Sequence, residues 1–318
     1  MNCWLISEEK AGTANQCLGL AEALGAAVTR RISPRAPWKV LPPPFWFPGL
    51  LAMNPASVPL RPPWPELLIS CGRYSAGLAL CLKAAARADT FAVHLQHPRI
   101  NTARYDLVVA PRHDRCRGTN VIETIGSLHR VTPQKLNEEA RAWEPRLRHL
   151  PRPRLAVLIG GSNSFYRLGE EEAHSLARDI SRLAEKDGFG VLLTVSRRTR
   201  PGVSGVMRRV LAGVPAEIWD GSGENPYFAF LGLADAVLVT ADSISMASEA
   251  CSTGKPVYIR DLPGGSRKFR SFHCALREGG YARRFQGAVD LSPGRVLDET
   301  AQVAAEIRRR MKIAKEIP

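Results

Sequence analysis

The 318-residue sequence predicts an α/β protein of two Rossmann-like domains facing a cleft. Three observations predict it. Short apolar runs recur between helical patterns, as expected for parallel strands buried on both faces. The alternation starts twice, at "CWLIS" (3–7) and at "LAVLIGGSNSF" (155–165), with the linker-like "RHLPRPR" (148–154) just before the second start. The length suits two domains of roughly 100–200 residues each. The first domain is therefore expected at 1–150 and the second at 151–318.

The elements follow in order. "CWLIS" reads as a buried strand, and "NQCLGLAEALG" (15–25) as a helix with apolar Cys17, Leu18, Leu20, Ala21 and Leu24, closed by Gly25. Residues 34–65 then gather eleven of the 24 prolines and three of the six tryptophans, a density that no regular element survives. Within it, Phe45, Trp46 and Phe47 form an aromatic tip suited to a membrane surface or an acceptor. Next come "LLISC" (67–71), a helix near 75–87, "TFAVHLQ" (90–96), "YDLVVAP" (105–111) and "NVIETIG" (120–126). The second block continues with a helix near 170–187, "GVLLTVS" (190–196), a helix near 203–212, "AEIWDG" (216–221), "ADAVLVT" (234–240), a helix from about 244 to 253 and "PVYI" (256–259). A last basic amphipathic helix, about 294–315, is expected to cross back to the first domain.

Composition narrows the partners. The chain carries 44 Lys+Arg against 30 Asp+Glu, a formal charge of +14 spread over both halves, which favours an anionic partner. Specific nucleic-acid binding is not expected, because no helix-turn-helix, finger or aromatic RNA-binding motif is evident. The seven cysteines show no Cys-x-x-Cys spacing, which argues against a structural zinc site or a disulfide framework and suits a reducing cytosol. No apolar run reaches the ~18–20 residues of a spanning helix, so a cytoplasmic protein, peripheral at the inner membrane, is expected.

Ligands of an open parallel sheet sit beyond the carboxyl ends of its strands. The loops at those ends therefore supply the candidate residues. Gly160 and Gly161 allow close backbone approach, and Ser162 is placed to cap the next element. The turn departs from the dinucleotide fingerprint and from the P-loop, so neither an NAD enzyme nor a P-loop NTPase is supported. Arg197 and Arg198 can fork onto phosphate oxygens. Asn225 lies in "GSGENPY" (221–227). In "TADSISMASEACSTGKPV" (240–257) Ser243 is expected to cap a helix, so that the N–H groups of Ser245 and Met246 meet an anion. Glu249, four residues after Ser245, shares that face and can accept hydrogen bonds from a ribose. This reading places Glu249 on a ligand-facing surface.

A late strand, serine turn and helix with Glu five residues before Gly-x-Pro resembles the GT-B glycosyltransferases, among them the GlcNAc transferase of lipid II synthesis. By that resemblance Glu249 binds the donor ribose. "KAGTANQCLGLAEALG", "LQHPR", "DLVVAPRHD", "NVIETIGSLHRVT", "GGSNSFY", "SRRT" and "GENPYFAFLGLADAVLVTADSISMASEACSTGKPV" together resemble the Elongated Mitochondria 1 family of fission proteins and its bacterial members. The resemblance covers nearly the whole chain and implies a GT-B-like fold with a nucleotide-sugar site. Where it leads one to expect a histidine in the first loop, this chain has Thr13.

Candidate bases lie in the first domain: Glu8 and Glu9 after the first strand, and His113 and Asp114 after "DLVVAP". One of them would take the acceptor hydroxyl proton while helix dipole and arginines stabilise the leaving diphosphate without a metal. Gly12, Asn15 and Gln16 suit acceptor or donor contact. Arg267, Lys268 and Arg270 suit an acidic sugar or phosphate. The expected function is transfer from a nucleotide sugar, UDP-linked or similar, to a membrane-linked or envelope acceptor, with no tightly bound cofactor. The competing readings are a nucleotide-sugar 2-epimerase and a non-catalytic membrane-recruitment protein with a protein partner.

Overall fold

The computed structural model describes residues 1–8, 10–33, 62–86 and 90–316. The aromatic tip at 45–47 and Glu9 lie outside the described residues. The chain divides into two compact units, Met1–Arg130 with Asp298–Pro318, and Val131–Leu297.

In the first unit β1 (Asn2–Ser7) leads into α1 (Ala11–Leu24), and β2 (Ala27–Ile32) follows. Then come β3 (Leu67–Cys71), α2 (Ala76–Ala85), β4 (Phe91–Leu95), β5 (Leu107–Pro111) and β6 (Val121–Thr124). The strands form one parallel sheet in the order β2-β1-β3-β4-β5-β6. Every residue of β3 and β5 is buried, which explains their uninterrupted apolar runs. Strand β2 is absent from the sequence reading. It is an edge strand whose Thr29 and Arg31 are exposed, so it lacks that run, and Arg30 spends its charge 4.4 Å over the Trp4 ring.

The second unit begins with α3 (Pro133–Leu147), then β7 (Arg154–Ile159), α4 (Glu170–Asp187), β8 (Gly190–Val195), α5 (Pro201–Val210), β9 (Ala216–Trp219) and α6 (Tyr227–Leu233). It closes with β10 (Ala236–Thr240), α7 (Ile244–Cys251), β11 (Val257–Arg260), α8 (Arg267–Glu278) and the two-residue β12 (Arg283–Arg284). Its sheet is parallel, in the order β12-β11-β10-β7-β8-β9. The last helix, α9 (Glu299–Glu316), belongs to the first unit, where Val303, Ala304 and Ile307 share a core with Cys17 and Leu20 of α1.

The unit boundary lies ahead of α3, not at the proline-rich stretch near residue 150. Arg154, the first residue of β7, explains why. Its guanidinium is buried and donates to Glu144 Oε2 at 2.8 Å and to the Leu147 carbonyl at 2.9 Å, which fastens the end of α3 to the second sheet. Trp143 adds an edge-on contact with Phe230 of α6, ring centroids 6.3 Å apart. Helix α3 escaped the sequence reading because only Leu136 and Leu147 of its fifteen residues are buried, too few for a visible apolar stripe.

Candidate functional site

In the second sheet the chain runs outward from β7 through β8 to β9, then returns to the other side of β7 with β10. The switch point therefore lies between β7 and β10, where two strand-end loops diverge and ligands of such sheets bind. Val237 of β10 pairs with Ala156 of β7, which brings the Gly160–Gly161 turn beside Asp242.

Asp242 organises this edge. Its carboxylate accepts from the Gly161 N–H at 2.9 Å, from Thr240 Oγ1 at 2.7 Å and from the Arg198 guanidinium at 2.7 Å, and the side chain is fully buried. Thr240 in turn accepts the Gly160 N–H at 2.8 Å. A Cβ on Gly160 would stand 2.2 Å from both carboxylate oxygens of Asp242, so this position requires glycine. The glycine turn thus serves Asp242, and its two N–H groups are engaged within the protein. Arg198 also donates to the Gly161 carbonyl at 3.1 Å, while Arg197 is exposed. Asp242 stands in the quoted motif, yet nothing in the sequence distinguishes it from a turn aspartate.

Other candidates take roles different from those expected. Ser162 Oγ accepts from the Leu168 N–H at 3.0 Å and so pins its own loop; the N-cap position of α4 is Gly169. Ser243 caps α7 by accepting the Met246 N–H at 3.3 Å, which engages one of the two N–H groups expected to meet an anion. Ser245 is half-buried. Asn225 Oδ1 accepts the Tyr227 N–H at 3.0 Å just ahead of α6, whose N-cap position is Pro226.

Glu249 is only 7 % exposed rather than on an open helix surface. Tyr227, from α6, donates its hydroxyl to Glu249 Oε2 at 2.5 Å, while Oε1 has no hydrogen-bond partner among the described residues. Burial lifts the Glu249 carboxyl to about 7, against the opposing effect of the Tyr227 bond. Helix α6, unread in the sequence, is what delivers Tyr227.

An open pocket of about 600 Å³ adjoins this edge beside α8, lined among others by Tyr166, Asp261, Arg270, His273 and Arg277. Arg270 thus reaches a pocket, and with Arg267 and Lys268 it lies in the first turn of α8, capped by Ser266. Tyr166, His273 and Arg277 were missed, because α8 itself was not read from the sequence and Tyr166 comes from a distant loop. The recurrence of Arg270, His273 and Arg277 at helical spacing was the available signal.

In the first unit the order of strands puts the switch point between β1 and β3. Glu8 sits there, 14 % exposed, with Lys10 Nζ 2.7 Å from its carboxylate. Across from it, Gly72 adopts φ +88°, and a Cβ there would lie 3.0 Å from Glu8 Oε1. Thr13 donates to the Glu8 carbonyl at 3.2 Å. Gly12 and Asn15 lie in the first turns of α1, and Gln16 is buried, donating to the Gly12 carbonyl at 3.1 Å. His113 and Asp114 form a short 3₁₀ turn after β5; His113 Nε2 is 3.9 Å from Asp114 Oδ1, and its side chain is buried. Of the candidate bases, Glu8 is the one described at a switch point.

Among the described residues, no helix is long and apolar enough to cross a membrane and no cluster of His, Cys, Asp and Glu could hold a metal ion.

A family model described as Mitochondrial fission ELM1 matches residues 11–311. The chain belongs to the mitochondrial fission ELM1 family. The ELM1 protein of Arabidopsis thaliana is 35 % identical over 274 residues, 78 % of this chain and 64 % of the plant protein, so the match spans less than two thirds of that relative. An uncharacterized protein of Rickettsia prowazekii is 26 % identical, with 99 % of this chain and 100 % of the relative covered. Among solved structures, the UDP-GlcNAc 2-epimerase of Methanocaldococcus jannaschii gives a TM-score of 0.58 at 11 % identity, covering 98 % of this chain and 100 % of its own. The glycosyltransferase SnogD of Streptomyces nogalater gives 0.53 at 16 % identity, covering 100 % and 98 %. This ELM1-family chain therefore has a two-domain α/β fold resembling GT-B glycosyltransferases.

Proposed function

We propose that this protein is a GT-B-type glycosyltransferase whose second unit binds a nucleotide-sugar donor, UDP-linked or similar, and whose first unit serves a membrane-linked or envelope acceptor. The observation that carries the reading is Glu249. A buried carboxylate with one oxygen held by Tyr227 and the other uncommitted stands on the helix that starts at the switch point. A carboxylate offers about four lone-pair sites, so ribose hydroxyls can share Glu249 with Tyr227. Arg197 and the start of α7 suit the diphosphate, and their positive field would stabilise it as it leaves, with no metal required. Glu8 is the group we assign to the acceptor proton, and His113 and Asp114 are the alternative bases. The basic surface suits a peripheral place on an anionic membrane face in the cytoplasm.

A thermal-shift screen against nucleotides and nucleotide sugars tests donor binding, since a ligand at ~100 times its Kd adds about 2.7 kcal/mol of stability. Calorimetry then tests Glu249. The Glu249→Gln change should weaken a ribonucleotide by about one to two powers of ten and a 2′,3′-dideoxynucleotide far less, because hydrogen bonds to charged groups contribute ~1.5–3 kcal/mol. Equal losses for the two ligands would sink the ribose assignment, and silence across the whole screen would sink the donor reading itself.

A further inference from the structure

The pocket beside α8 holds chemistry that the donor reading leaves unused. Arg270, His273 and Arg277 follow at spacings of three and four residues and so share one face of the helix. Among the described residues, Asp261 is the one acidic residue lining the pocket, and Arg284 already pairs with it at 2.6 Å. No salt bridge joins Arg270 or Arg277 to a carboxylate among the described residues.

His273 adds the decisive constraint. The residue is 5 % exposed, and Nε2 lies 2.9 Å from the Ala241 carbonyl. A carbonyl only accepts, so Nε2 carries the proton. Burial holds the imidazole below its usual range, in the neutral form. Nδ1 therefore carries a lone pair, and this buried atom has no hydrogen-bond partner among the described residues. A bare anion would face that lone pair with its own. The matching ligand brings a hydroxyl to donate to Nδ1 and an anionic oxygen for the arginines, two groups that a sugar acid carries on one ring. Ala241, whose carbonyl holds His273, immediately precedes Asp242, so the pocket borders the switch point.

We propose that this pocket binds an acidic sugar, with a sugar hydroxyl donating to His273 Nδ1 and a carboxylate meeting Arg270 and Arg277. The proposal rests on the nucleotide-sugar reading and narrows the donor class to sugars that carry an acid.

Calorimetry with UDP-glucuronate and UDP-glucose tests it. Wild type should prefer the acidic sugar by at least about tenfold, Arg277→Gln should reduce the ratio to within about twofold, and Arg277→Lys should restore most of it. The thermal midpoint checks that each variant folds. If both nucleotides bind with equal affinity, or if the preference survives Arg277→Gln, the pocket assignment is overturned and the nucleotide reading stands. If neither binds, the nucleotide reading falls, and free glucuronate and glucose settle the pocket by NMR of 15N-labelled histidine. A His273 shift with glucuronate that Arg277→Gln abolishes keeps the acidic-sugar site, and no shift overturns it.

Discussion

The two sheets solve the same problem at their switch points with the partners exchanged. In the first unit the carboxylate follows the first strand and the glycine stands opposite: Glu8 after β1, Gly72 after β3. In the second unit the glycine follows the first strand and the carboxylate stands opposite: Gly160 after β7, Asp242 after β10. The surroundings separate them further. Asp242 is fully buried and engaged by a backbone N–H, a hydroxyl and a guanidinium, whereas Glu8 meets a lysine whose own side chain is 75 % exposed. A carboxylate held from three sides is a strut. A carboxylate held by one solvated ammonium remains available for proton transfer.

The largest effect that tests this contrast is on stability. Asp242→Ala removes the acceptor of the Gly161 N–H and the partner of Arg198 at once, and should cost about 3 kcal/mol by the penalty for stranding buried donors and half of an ion pair. Arg198 is 41 % exposed and can reach water, which keeps the figure at the low end for such pairs. Urea unfolding measures it. A loss below about 1 kcal/mol would show that the three contacts are not worth their geometry and would erase the difference between the two edges.

This contrast also shows what the sequence made legible. The strands, and with them the position of both edges, are visible because parallel strands buried on two faces write themselves as apolar runs: all five residues of β3 and of β10 are buried. Ser243 was legible as a cap because capping is local, one side chain and an N–H three residues on. The partners of Asp242 and Glu249 were not. Arg198 and Asp242 lie 44 residues apart and Tyr227 and Glu249 lie 22 apart, so no local pattern links them until the sheet order is known. The polar helix α3 was lost because only Leu136 and Leu147 face the core, whereas α8 carries a buried stripe at helical spacing, Phe269, Phe272, His273 and Leu276, that the sequence did offer.

A smaller effect sharpens the comparison through pH. Glu249 has a folded pKa of about 7 against an ordinary value of 4.5, so between those values the folded chain keeps a proton that the unfolded chain has released. Its stabilisation is complete below about pH 4.5 and is lost as the pH rises through 7. From pH 5.5 to 7 the wild type should lose about 2 kcal/mol that Glu249→Gln does not, taking ~1.4 kcal/mol per pH unit of proton linkage. Urea midpoints of both proteins across that range give the difference directly, which cancels every other titrating group. Parallel curves would mean that water reaches Glu249 in solution and that it is as exposed as the sequence suggested.

The smallest expected change in stability belongs to Glu8, and it is the one that bears on chemistry. Glu8→Gln keeps the shape of the side chain and forfeits a single ion pair to a largely solvated lysine, a contact worth about 0–1 kcal/mol. Unfolding should therefore be nearly unchanged. Gln cannot take a proton, so if Glu8 is the base, turnover of the nucleotide sugar, by transfer or by hydrolysis, should fall by about 10²–10⁴-fold. His113→Gln supplies the contrast within the same unit: its side chain is 3 % exposed, so this change should cost stability before it costs turnover. A Glu8→Gln protein that loses stability yet still turns over its donor would make Glu8 a second strut. The two edges would then differ in which strand carries the carboxylate but not in what the carboxylate does.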